Sequence, residues 1–252
     1  MTAPLYRSID NITSFGKVKT FPYFQGETMA STAKTLKTQL PSYSKGEEIL
    51  NMVSHIVGGV FAAAALVWMV VSSALRGDVW AVVSGSIYGT TLVIMFVISS
   101  VYHGLPRGNA KKVLRIIDHC DIYFLIAGTY TPILLCGVRE VNSALAWSIF
   151  GVEWGMAALA VTLNAIDLKR FEKMSMVCYI GMGWCVIACL KATIEAMTLQ
   201  GFLILLYGGI AFTIGAVLYV IGKKKRYIHG VFHIFVVIGC ILQYFAILNY
   251  VL

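Results

Sequence analysis

The sequence has no CxxC pair among its six cysteines, no basic stretch running into an apolar core at its start, and few ionisable residues inside its long apolar segments. The first absence excludes a zinc knuckle and indicates no disulfide framework, so the cysteines read as apolar fillers. The second excludes a cleavable secretory signal and leaves targeting to the first apolar segment. The third removes the ring of charges or polar stripe that an ion pathway requires.

What is present is apolar: 58% of the residues are hydrophobic and the mean hydropathy is +0.78. A soluble domain of this length buries a core, but it cannot also hide repeated apolar runs of roughly 20 residues separated by short charged loops. Seven such runs occur, at about Ile49 to Leu75, Val79 to His103, Ile117 to Val138, Ser143 to Ile166, Met174 to Ile194, Phe202 to Gly222 and His229 to Leu252. They are continuously apolar, whereas strands of a membrane barrel alternate over about 10 residues. The expected fold class is therefore all-α: a polytopic seven-transmembrane helix bundle over residues 46–252, multi-pass in the cell (plasma) membrane. Residues 1–45 are polar and punctuated by Gly, Ser, Thr and Pro, and read as a flexible cytoplasmic tail. Gly58, Gly59, Gly181, Gly183, Gly208 and Gly209 are candidates for close helix approach, and Pro132 is expected to kink the third span.

The net charge of +8 admits a nucleic-acid surface, an acidic-lipid contact or topology signals. Position decides between them. Lys and Arg gather in the tail (Arg7 to Lys45), then at Arg107 to Arg115, Lys169 to Lys173 and Lys223 to Arg226; the alternate connections hold only Arg76, Arg139 and Lys191. The positive-inside rule puts the N-terminus in the cytoplasm and, after seven crossings, the C-terminus outside. Charge parcelled into alternate loops is not a nucleic-acid stripe, so the expected partner is membrane lipid and not nucleic acid; nothing indicates a protein partner.

Ionisable groups within or beside spans are costly unless paired or functional. Under this topology Glu48, Asn51 and His55 at the start of the first span, Ser99 and His103 at the end of the second, Asp118, His119 and Asp121 at the start of the third, and His229 with His233 at the start of the seventh all meet one membrane face. His229 and His233, four apart on a helix, present both imidazoles to one side; His103 supplies a third. Three neutral imidazoles leaving one position open are the donor set of a catalytic zinc. Glu48 and Asn51 read more simply as organisers of the first helix start, whereas His55 and Ser99 fit a hydrogen-bonding role and a functional one equally well. Glu153 stands alone near the middle of the fourth span, with no partner in the sequence pattern.

In EEILNMVSH, SSVYH, IDHCDIYFLIAGTYTP and HGVFH the chain resembles the bacterial hemolysin III proteins, within the progestin and adipoQ receptor family that includes the adiponectin receptors. The resemblance covers nearly all seven spans. It implies that His103, His229 and His233 bind zinc on the cytoplasmic side and that Asp118 holds a water, with Asp121 one turn on as a rival. It also implies lipid amide hydrolysis of a ceramidase-like kind. In that chemistry Asp118 is the general base, and Ser99, one turn before His103, donates to a developing oxyanion. Two other readings compete: a non-catalytic sensor of membrane lipid state with structural zinc, and the pore-forming, haemolytic (cytolytic) activity behind the family name.

Overall fold

The computed structural model describes residues 39–252. The expected tail therefore lies, for its first 38 residues, outside the described residues. The rest is helical, with no strand among the described residues. Helix α1 (Lys45–Leu75) is followed by α2 (Val79–Gly104), α3 (Asn109–Pro132), α4 (Ser143–Asp167), α5 (Glu172–Gly183), α6 (Leu190–Gly222) and α7 (Ile228–Tyr250).

Local chemistry sets the helix ends. Ser44 and Glu47 form a capping box at the start of α1, Asp78 accepts from Ala81 N–H at 3.0 Å before α2, and Asn142 accepts from Leu145 N–H at 3.0 Å before α4. Gly77, at φ +71°, lets the chain turn sharply between α1 and α2. Pro132 donates no backbone hydrogen bond, and immediately after it the α-helix gives way to a π-helical turn, Ile133–Val138, which runs on to Val141.

Six stretches are long and apolar enough to cross a membrane: Lys45–Leu75, Val79–Gly104, Asn109–Val141, Ser143–Asp167, Glu172–Gly222 and Ile228–Tyr250. The protein is a multi-pass membrane protein. The count differs from the expected seven because the segments from Met174 and from Phe202 belong to one run of 51 residues, Glu172–Gly222. That run is not straight: a 3₁₀ turn at Cys185–Cys189 joins α5 to α6, and Thr198 inside α6 has φ 64° and ψ 162°.

Helix α1 packs on α2 and α7, α6 on α7, and α3 on α2 and α4. The α3 stretch is the central one, with 78% of its most apolar window buried against 22–44% elsewhere. Two of the expected small-residue contacts are made: a Cβ on Gly58 would lie 2.3 Å from the Phe96 ring, and one on Gly208 would lie 2.7 Å from the Gln243 side chain. Gly59 has only ordinary contact, and Gly181, Gly183 and Gly209 face no neighbour within 4 Å. Composition marks small residues, but not which side of a helix they occupy.

Candidate metal centre

The N-terminal turns of α1 and α7 and the last turn of α2 meet at one end of the bundle. Each carries histidine there: His55 on α1, His103 on α2, His229 and His233 on α7. His103, His229 and His233 each offer a ring nitrogen within 4.8 Å of the others, and all three are buried, so they could hold a metal ion. His229 Nε2 and His233 Nε2 lie 3.1 Å apart. Two nitrogens at the usual zinc distance on a tetrahedral centre are roughly 3.3 Å apart, so the spacing fits such an ion.

Two of the three ring nitrogens turned away from the centre, those of His103 and His233, are held. His103 Nδ1–H donates to Glu48 Oε2 at 2.7 Å, and Lys111 Nζ donates to Glu48 Oε1 at 2.8 Å. Asn51 Nδ2 lies 3.4 Å from the same His103 nitrogen, but two donors cannot share a bond, so the shorter carboxylate contact fixes the tautomer. That leaves His103 Nε2 buried without a partner among the described residues, as a ligand atom awaiting a cation would be. His233 Nδ1 contacts His55 Nε2, which places His55 behind a candidate ligand. Glu48 therefore does more than sit favourably at a helix N-terminus: it grips His103 from another helix.

Tyr43, just ahead of α1, stacks on His229 with ring centroids 4.9 Å apart and an interplanar angle of 19°. Burial pushes its hydroxyl well above the ordinary tyrosine range, so the phenol stays neutral. The backbone of residues 39–41 is tied down beside it. Arg107 Nη1 donates to Pro41 O at 2.8 Å, and Arg115 donates to Gln39 O.

A cavity of about 410 Å³ leads from the cluster into the bundle. His55, His229, His233, Ser99 and Asp118 line it at the polar end, whereas Leu125, Ile126, Phe202, Leu205, Phe212 and Val236 make its walls apolar further in. His103 does not face it. Ser99 is 1% exposed, and its Oγ has no partner among the described residues. The two candidate aspartates separate here: Asp118 lines the cavity, and Asp121, 4% exposed, does not. His119 lines the cavity as well, but both its ring nitrogens are engaged away from the histidine cluster, Nδ1 donating to Arg115 O at 2.9 Å and Nε2 lying 3.3 Å from the Tyr219 hydroxyl. Glu153 is not brought to the cluster; it is 1% exposed, faces the Cys185 thiol, and neither carboxyl oxygen has a partner meeting hydrogen-bond geometry among the described residues.

Sequence reasoning missed Tyr43 and the partner of Glu48, since neither a ring stacked from the preceding segment nor a contact across 55 residues leaves a local pattern. Glu47 stands out from the sequence only as a polar group at the start of the first span; its capping role went unread, although its place three residues after Ser44 is a capping-box signal.

A family model described as Haemolysin-III related matches residues 43–244. Hemolysin-3 of Bacillus cereus is 34% identical over 215 residues, covering 85% of this chain and 96% of its own. The hemolysin-3 homolog of Bacillus subtilis (strain 168) is 33% identical over 204 residues, 81% of this chain and 94% of the relative. The human monocyte to macrophage differentiation factor is more distant, 27% identical over 186 residues, 70% of this chain and 74% of that protein. The matched region contains the whole histidine cluster and the helices that build it except the last six residues of α7, and the chain belongs to the haemolysin-III related family.

Proposed function

We propose that this protein is a zinc-dependent membrane hydrolase acting on a lipid amide. The observation that carries the reading is a buried three-histidine cluster, two of whose members, His229 and His233, line the polar end of a largely apolar cavity. His103, His229 and His233 would hold the ion. Bound there, zinc would supply a Lewis acid that polarises a carbonyl and makes water easier to deprotonate. Asp118, on the cavity wall, accepts the proton from the attacking water and returns it to the leaving amine. The unpartnered Ser99 hydroxyl donates to the carbonyl oxygen as negative charge develops on it. The apolar walls take the acyl chain and exclude water from the reacting bond.

The topology that goes with this site has seven crossings, with the N-terminus and the histidines on the cytoplasmic side. A run of 51 residues would be about 77 Å long as a straight helix, against a hydrocarbon core of about 30 Å, and its backbone breaks at Thr198. Basic groups flank both its ends, at Lys169 to Lys173 and at Lys223 to Arg226. Two crossings put both ends on the same side, as the positive-inside rule requires.

A second reading, a lipid-state sensor with structural zinc, draws on the cluster joining α2 to α7, with α1 tied in through Glu48 and His55. The test has two stages. Elemental analysis of gently purified protein is expected to give about one zinc per chain, lost in the His103→Ala, His229→Ala double variant. Cleavage of N-acyl sphingosine in detergent is then expected from the wild type and not from Asp118→Asn. A zinc-loaded protein that cleaves no lipid amide, but changes conformation with lipid composition, favours the sensor. A protein without metal removes both readings.

A further inference from the structure

The last helix starts at a backbone conformation that L-residues seldom adopt: Tyr227 has φ +63°. Its amide precedes the first helical turn, where no intrahelical carbonyl is available, and no side chain of its own segment caps that end. The donor is satisfied from the far end of the chain. Tyr227 N–H donates to Glu47 Oε1 at 2.9 Å, across 180 residues.

The other oxygen of the same carboxylate works on α1. Glu47 Oε2 accepts from Ser44 N–H at 2.8 Å and from Ser44 Oγ–H at 2.7 Å. A capping box needs only this second half, and α1 gains nothing from the bond to Tyr227. Glu47 is 6% exposed, so water competes little with either half.

His229 follows Tyr227 by two residues, and His233 follows one turn later. On its other side His229 is stacked by Tyr43, the neighbour of Ser44. Both flanks of this candidate ligand are thus referenced to one carboxylate. We propose that Glu47 is a positioning residue for the histidine centre: it fixes the first turn of α7 against the start of α1, and so sets where His229 and His233 present their nitrogens. The two adjacent glutamates divide the work, Glu48 holding the ligand from α2 and Glu47 the pair from α7. The metal-affinity arm of the test rests on the zinc reading above; the clamp itself does not.

The test uses full-length protein in detergent and three variants: Glu47→Ala; the milder Glu47→Gln, which keeps an acceptor for only one of the two partners; and Ser44→Ala, which removes the Ser44 side chain from the capping box alone. Zinc affinity is read by competition with a chromophoric chelator, and hydrogen exchange of the 227–233 amides is read in metal-free protein. Glu47→Ala is expected to lose about ten-fold or more in zinc affinity, with Glu47→Gln between it and wild type, and to show faster exchange at 227–233. Ser44→Ala is expected to keep wild-type zinc affinity and exchange there. Wild-type affinity in Glu47→Ala, or an equal loss in Ser44→Ala, overturns the proposal by reducing Glu47 to a cap for α1. If the wild type takes up no zinc, the metal reading fails and exchange decides alone: unchanged exchange in both Glu47 variants sinks the clamp, and faster exchange upholds it. Where Glu47→Ala does not fold, the Gln variant carries the same comparisons.

Discussion

Replacing Glu48 by leucine removes both acceptors from between two buried donors while roughly keeping the side-chain volume. His103 and Lys111 have side chains 0% and 4% exposed, and Glu48 is 20% exposed between them. Two losses follow, and they are separable. His103 Nδ1–H loses the partner that fixes its tautomer, which for an outer-shell group of this kind costs about 10–100-fold in metal affinity, or about 1.4–2.7 kcal/mol. Lys111 loses its counter-charge but keeps bonds to His103 O at 3.3 Å and Leu105 O at 3.0 Å. Stranding one member of a fully buried pair costs about 3–5 kcal/mol. Water reaching Glu48 screens this pair, so about 1–2 kcal/mol of stability is the expected loss. Lys111→Met in the Glu48→Leu background takes away the stranded ammonium. It should restore the melting temperature without restoring zinc affinity. The assay is chelator competition beside thermal unfolding for the wild type, the single variant and the double variant. Wild-type zinc affinity in Glu48→Leu, or recovery of both quantities in the double variant, refutes the reasoning.

Gly58→Ala forces a methyl against the Phe96 ring and should cost about 1–3 kcal/mol in thermal unfolding, whereas Gly181→Ala, with open space around it, should be neutral or stabilising; equal effects would contradict the packing described. Glu153→Met replaces an unpaired buried carboxyl by an apolar chain of similar size and should leave the melting temperature unchanged or raise it; a clear fall would mean that the carboxyl has a partner. Tyr43→Ala uncovers His229, so EDTA should strip bound zinc faster from this variant than from the wild type. Identical stripping rates would show that the ring does not guard the site.

Helices facing lipid are the most legible elements, because a backbone in hydrocarbon must pair internally and its side chains must be apolar without interruption. Four of the six stretches accordingly begin and end within four residues of the apolar runs in the sequence, and a fifth, Asn109–Val141, starts eight residues earlier. The break at Thr198 was illegible: threonine carries no local signal for positive φ, and the gap between apolar runs gave only its neighbourhood. Within the site, His229 and His233 announced themselves by helical spacing, and the addition of His103 depended on the right helix ends being adjacent. The roles of Glu48, Glu47 and His55 were not readable, since each is defined by a partner 55 to 180 residues away. Between Asp118 and Asp121, one turn apart, only the family resemblance favoured Asp118, since helical spacing lets both face one site; in the structure Asp118 lines the cavity and Asp121 does not.

Helix α3, wrapped by its neighbours, also has a consequence for how the protein is made. Its stretch and that of α4 have a mean hydropathy of 1.5, against 2.0–2.4 for the other four, and α3 carries Asp118, His119 and Asp121 in its course. Such a helix gains least from lipid and most from protein, so it settles in the bilayer only when other helices are there to receive it. The chain delivers α1 and α2 first. Order of synthesis and order of need coincide, and the most polar helix of the bundle enters a membrane that already holds part of its binding surface.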